Sequence, residues 1–156
     1  DLAKLEDGTS KVLNKKEFDL SNTIMSASLP FESLSFEKGM THVYTEYSQE
    51  KDGKIQVINR GIKNGEAKKV IGKAKQPDPI EYPGRLKVSF FLWFYSDYYI
   101  LELDKNYQYA VIGSSSDKYL WILSRTPEMP EAQLKGILQR MAQRGYDLSK
   151  LVFVEQ

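Results

Sequence analysis

Between residues 40 and 124 the chain breaks into short runs of alternating apolar and polar residues, each closed by turn-forming residues. MTHVYTEY (40–47) runs into QEKDG, KIQVINRG (54–61) into KNGE, and AKKVIGKAK (67–75) into the proline-rich QPDPIEYPG. RLKVSFF (85–91) leads to LWFYSD, YYILEL (98–103) to DKN, YQYAVIG (107–113) to SSSD, and KYLWILS (118–124) ends the series. A period of two places successive side chains on opposite faces of a strand, and turns about every 8–12 residues join such strands as hairpins. With a further candidate in TIMSASL (23–29), eight strands are expected, in an all-β sandwich or barrel. Eight antiparallel strands remove their exposed edges most simply by closing into an up-and-down barrel. Such a barrel either fills with side chains or keeps room for one small ligand.

One helix is expected over about 130–144. Pro130 suits its first position, Leu134, Ile137, Leu138 and Met141 form an apolar stripe at helical spacing, and Gly145 suits the C′ position. The stripe either docks a partner or covers the chain's own sheet. YYILEL and YQYAVIG favour the second, because both are apolar on both faces, one for the lumen and one for a helix outside. KLVFVE (150–155) adds a short last strand. Residues 1–17, DLAKLEDGTSKVLNKKE, read as a polar N-terminal arm before a single domain spanning 18–156.

Composition removes several function classes. The 22 Lys+Arg and 21 Asp+Glu nearly cancel, and the lysines of AKKVIGKAK alternate like solvated strand positions, so no nucleic-acid groove is expected. The absence of cysteine excludes disulfides, thiol catalysis and thiolate metal sites. No apolar run approaches the ~20 residues of a membrane-spanning helix. The chain starts at Asp1, so it reads as a processed or trimmed product, with any signal peptide or lipid-bearing cysteine lying upstream. His42 is the single histidine and sits with Glu46 at outward-looking positions. No metal-ligand spacing, nucleophile motif, dinucleotide fingerprint or phosphate loop occurs, so neither an enzyme nor a cofactor is expected.

LD-x-N-Y at 103–107, YLWILSRTP at 119–127, a one-helix tail and GYDLSKL at 145–151 together resemble the bacterial lipocalins. Plant temperature-induced lipocalins and apolipoprotein D are relatives of that group. The resemblance runs back through RLKVSFF and VINRG to FEKGM (36–40). It implies an eight-stranded calyx holding a fatty acid, lysophospholipid or similar amphiphile, in a periplasmic or outer-membrane-associated protein. The chain departs from the family at its first candidate strand, where Ser21, Asn22 and Thr23, or in the alternative register Met25, Ser26 and Ala27, stand opposite the usual Gly-x-Trp.

Hairpin topology then sorts the loops. Those at PFESLSFEKG, IKNGE, LWFYS and SSSD share one end, the mouth; QEKDG, QPDPIEYPG and DKN share the other, the base. Asp104, Tyr107 and Arg125 fall at the base, where Arg125 is expected as a structural plug, stacked on Phe18 or Tyr107 in place of the missing tryptophan. Leu92, Trp93, Phe94 and Tyr95 fall at the mouth with Phe31, Leu34 and Phe36. They leave three readings: lids folded inward, contact with a membrane surface, or a homodimer interface. Lys38, Lys63 and Lys118 share the rim with Glu37, Glu66, Asp97 and Asp117, so its charge is mixed.

Placing charged positions outside turns Val43, Thr45 and Tyr47 inward, with Val57, Val70, Gly72, Ala74, Leu86, Val88 and Phe90 on the next three strands. Tyr119, Trp121 and Leu123 share the face of Arg125. If Tyr98 and Ile100 point inward, strict alternation brings Glu102 inside too, with Arg125 as its partner. The expected ligand contacts are therefore Val43, Tyr47, Val57, Val70, Val88, Phe90, Trp93, Tyr98 and Trp121.

Overall fold

The structure, a computed structural model, describes residues 23–28, 40–91, 94–115, 119–126 and 128–153. Nine strands follow in chain order: β1 (Thr23–Ser28), β2 (Thr41–Gln49), β3 (Ile55–Lys63), β4 (Glu66–Lys75), β5 (Arg85–Phe91), β6 (Phe94–Leu103), β7 (Tyr109–Gly113), β8 (Leu120–Ser124) and β9 (Val152–Phe153). One helix, α1 (Glu131–Gln143), precedes β9. Consecutive strands between β2 and β8 pair antiparallel, and β1 pairs with both β8 and β2, so the first eight form a closed ring. A bulge between Met25 and Ala27 shifts the register of β1 against β8, and its last residues, Ala27 and Ser28, pair with β8 on one side and β9 on the other.

Turn chemistry fixes the register. Asn64 and Gly65 both have positive φ, 53° and 78°, the geometry that joins β3 to β4 in a two-residue hairpin. Gly53, at φ 86°, closes the β2–β3 turn by donating its N–H to the Glu50 carbonyl at 3.1 Å. In the longer β4–β5 connection, the Gln76 amide donates to the Pro83 carbonyl at 2.6 Å, and the Arg85 guanidinium lies 4.5 Å over the Tyr82 ring and 5.3 Å from that of Tyr99.

Two apolar clusters lie on either side of the ring. The inner one gathers Val43, Val57, Ala74, Leu86, Val88, Ile100, Leu103, Ala110, Ile112 and Leu123. The outer one joins Leu101, Val111, Leu120 and Ile122 to Ile137 and Met141 of α1, with Leu134 and Leu138 against it. The helical stripe therefore covers its own sheet on β6–β8. Gly145, at φ 95°, follows the Arg144 cap and sends its N–H to the Ala142 carbonyl at 3.0 Å.

Three expectations are corrected. Pro130 is the N-cap, not the first helical residue: its ψ of 132° is extended, and the helix starts at Glu131. Phe94 and Tyr95 are not loop residues, because Phe91 pairs with Phe94 and extends the β5–β6 ladder to the mouth. The Tyr95 ring instead carries the Lys75 ammonium 4.1 Å from its centroid. Glu102 does not enter the lumen. A bulge between Ile100 and Glu102 breaks strict alternation, so Ile100 and Leu103 face inward while Leu101 and Glu102 face the helix. There Glu102 accepts two bonds from Arg140, at 2.6 and 2.9 Å, and this raises the guanidinium's pKa further. The arm at 1–17, Phe18, the loop containing Phe31, Leu34 and Phe36, and Lys38 and Lys118 lie outside the described residues.

Candidate functional site in the barrel lumen

The inner face is built by alternation on seven strands. Val43, Val57 and Val88 belong to the buried inner cluster, and Tyr47, Tyr98 and Trp121 pack against it half-buried. Val70 is half-buried on β4, one turn of the pleat mouthward of buried Gly72. The side chain of Phe90, a β5 residue, and all of Trp93 fall outside the described residues.

Aromatic groups meet across this space. The Trp121 ring stacks on Tyr98 and on Tyr119, each at a centroid distance of 6.1 Å, with interplanar angles of 25° and 24°. Such offset pairs add to the energy of burial. The hydroxyls of Tyr47 and Tyr98 hydrogen-bond to each other, although β2 and β6 are four strands apart in either direction around the eight-stranded ring. This contact therefore spans the barrel. A second polar pair is buried beside it: the Thr45 hydroxyl donates to the Asn59 side-chain oxygen at 2.7 Å.

Asn59 was missed by the sequence reading, which stopped at Val57 on β3. The signal was available two residues further along the same strand, but an asparagine facing inward reads as unfavourable until Thr45 appears directly opposite.

At the base, Asp104 organises the β6–β7 turn. Its carboxylate accepts from the N–H groups of Asn106 and Gln108 at 3.1 and 3.2 Å, and Tyr107 takes a left-handed φ of 57°. Arg125 donates from Nε to the Tyr107 carbonyl at 2.9 Å, and its backbone N–H donates to the Gln108 carbonyl at 3.0 Å. The guanidinium thus ties the end of β8 to the turn that precedes β7. Apart from Arg125, every lumen residue named here is uncharged, which suits an apolar guest.

Charge gathers instead on the outside of the rim. Asp97 accepts from the Ser115 hydroxyl at 2.7 Å and from Lys87 at 3.2 Å, and these contacts, Ser115 first, hold its carboxyl below the ordinary value. A depressed carboxylate contributes stability above its unfolded pKa and loses it as pH falls through the folded one. Asp97→Asn is therefore expected to lower stability by about 1 kcal/mol or less at pH 7, with the difference fading as pH falls through the carboxyl's depressed folded-state pKa. Urea unfolding at several pH values measures this; a gap that persists in acid would assign the effect to packing. The described residues contain no group of three or more metal-ligating side chains.

A ring of eight antiparallel strands with an uncharged aromatic lumen, a pinned base and a helix on one outer wall defines a calyx-type binding barrel. Comparison with known proteins gives the family. Residues 27–156 match the model of the lipocalin-like domain. The outer membrane lipoprotein Blc of Vibrio cholerae is 42% identical over 125 residues, covering 78% of this chain and 72% of that one. Temperature-induced lipocalin-1 of Arabidopsis thaliana is 38% identical over 112 residues, 67% of this chain and 60% of its own length. Among solved structures, lobster apocrustacyanin A1 superimposes with a TM-score of 0.72 at 20% identity, over 100% of this chain and 88% of that one.

The chain belongs to the lipocalin family. Small hydrophobic ligands are what this family typically binds, and its members of this type are binding and transport proteins rather than enzymes.

Proposed function

We propose that the protein carries a fatty acid, a lysophospholipid or a similar single-chain amphiphile in the calyx, at the periplasmic side of an outer membrane. The observation that carries this reading is the half-buried aromatic layer of Tyr47, Tyr98 and Trp121 above a base of fully buried aliphatic side chains. Among the described residues an apolar tail entering the lumen meets uncharged surface above the base, and each methylene removed from water contributes about 0.8 kcal/mol. The Thr45–Asn59 pair and the tyrosine hydroxyls supply the few polar groups that orient a guest in such a pocket. Val43, Val57, Val70 and Val88 complete the proposed wall, while Asp104, Tyr107 and Arg125 hold the base shut. The similarity to outer membrane lipoproteins supports the location.

Native mass spectrometry of the purified protein, followed by delipidation and titration with fluorescent fatty acids, tests the proposal. A co-purifying single-chain lipid or saturable binding is the expected result; no binding of any amphiphile would overturn it. Trp121→Ala should weaken binding about tenfold, because an aromatic wall contributes on the order of 1.5 kcal/mol to an apolar guest. Unchanged affinity would remove Trp121 from the site.

A further inference from the structure

We infer that the Tyr47–Tyr98 hydroxyl pair, backed by Trp121, is the floor of the binding chamber and sets the length of chain the calyx accepts. This rests on the carrier reading above and adds a specificity device to it. Three observations converge on these two residues.

The first is position. β2 and β6 are opposite walls of the ring, so a bond between their side chains crosses the lumen and does not line it. A guest that passes this level must part the two hydroxyls or displace a ring.

The second is the change in burial along the strands. On β6, Ser96 is exposed, Tyr98 half-buried and Ile100 fully buried, although all three share the inner face. On β8, half-buried Trp121 gives way to Leu123 at 2% exposure, and on β4 half-buried Val70 gives way to Ala74 at 1%. Along β6 and β8 exposure thus falls off at the aromatic layer, while on β5 Val88, paired with exposed Ser96, is itself buried. The β2–β3 side is filled even near the mouth, where Val43 and Thr45 are buried and Met40 lies against Gly61.

The third is what lies beneath. Ile100, Leu103, Ala110, Ile112 and Leu123 pack with Leu86 at 0–3% exposure, leaving the base as dense core. Deepening the chamber without moving the floor would mean opening that core, which is costly in a close-packed interior.

The depth above the floor follows from strand geometry. Tyr98 is four residues from the mouth end of β6 at Phe94, and strands that rise about 3.3 Å per residue at a tilt of about 40° give roughly 10 Å. An extended acyl chain places about eight to ten carbons in that distance. Longer tails must therefore project from the mouth or break the tyrosine pair.

Saturated fatty acids from eight to eighteen carbons, titrated by calorimetry into delipidated protein, test this. In the wild type, affinity should rise about fourfold per methylene and level off near ten carbons. Tyr98→Ala should move the levelling point to at least fourteen carbons. The double variant Tyr47→Phe, Tyr98→Phe keeps the rings but not the bond, and should gain about tenfold for the longest chains. It carries the test if Tyr98→Ala does not fold. A wild-type affinity that climbs steadily to eighteen carbons would overturn the floor while leaving the carrier reading intact, as would a levelling point that neither variant moves. Binding of no member of the series by the wild type overturns both.

Discussion

Ile137→Ala is expected to lower the unfolding free energy by about 3–4 kcal/mol, the middle of the range for buried isoleucine truncations. Ile137 is 0% exposed and sits between α1 and the outward residues of β6–β8, in the cluster of Leu101, Val111, Leu120 and Ile122. A strand backbone cannot move inward to fill the vacancy, because its other face already packs the lumen side with Ile100, Ala110 and Ile112. The cavity therefore persists. In urea the midpoint should fall by roughly 1–3 M at unchanged slope. Ligand affinity of the folded fraction should stay within about twofold, since the outer cluster does not reach the calyx. A loss under 1 kcal/mol would mean that the helix contributes little to the barrel's stability.

Gly113→Val is expected to cost about 3 kcal/mol, against the sign that strand propensity alone would give. Valine suits strands and would gain up to about 1 kcal/mol at an ordinary position. At Gly113 a β-carbon would fall 2.5 Å from the Tyr146 hydroxyl and 2.8 Å from Leu101 Cδ1, both inside contact distance. Tyr146 is 5% exposed and belongs to the outer cluster, so its ring has no free volume to retreat into. Adding Tyr146→Phe should recover part of the loss by removing the nearest atom, and a double-mutant cycle in thermal or urea unfolding measures the coupling. Additive costs in that cycle would place the strain elsewhere.

Much of the fold was legible along the chain. Each alternating run became a strand within a few residues, because period-two patterning and turn residues such as Asn64–Gly65 act locally. Inward and outward faces were readable wherever lysines or arginines alternate with valines, as on β4 and β5. Strands β6 and β7 gave no such signal, being apolar on both sides, and there the reading of Glu102 went astray. Alternation carries no record of a bulge, which depends on how β7 pairs.

The lumen shows the same division. Tyr47, Tyr98 and Trp121 were each identifiable as inward candidates from their own strands. That the two hydroxyls meet is a property of ring closure: residues 51 positions apart become partners because β1 joins β8 to β2 and brings opposite walls within reach. Arg125 behaves similarly. Its place at the end of YLWILSR marked it as a base residue, but the acceptor, the Tyr107 carbonyl, is set by the left-handed turn that Asp104 holds. The sequence by itself thus determined which residues form strands, which faces are apolar and that the helix covers the sheet, since those follow from neighbours one to four positions away. Tertiary structure alone decided where alternation slips, which polar groups pair inside the barrel and how deep the open part of the lumen runs, because each of these depends on contacts between strands distant in the chain.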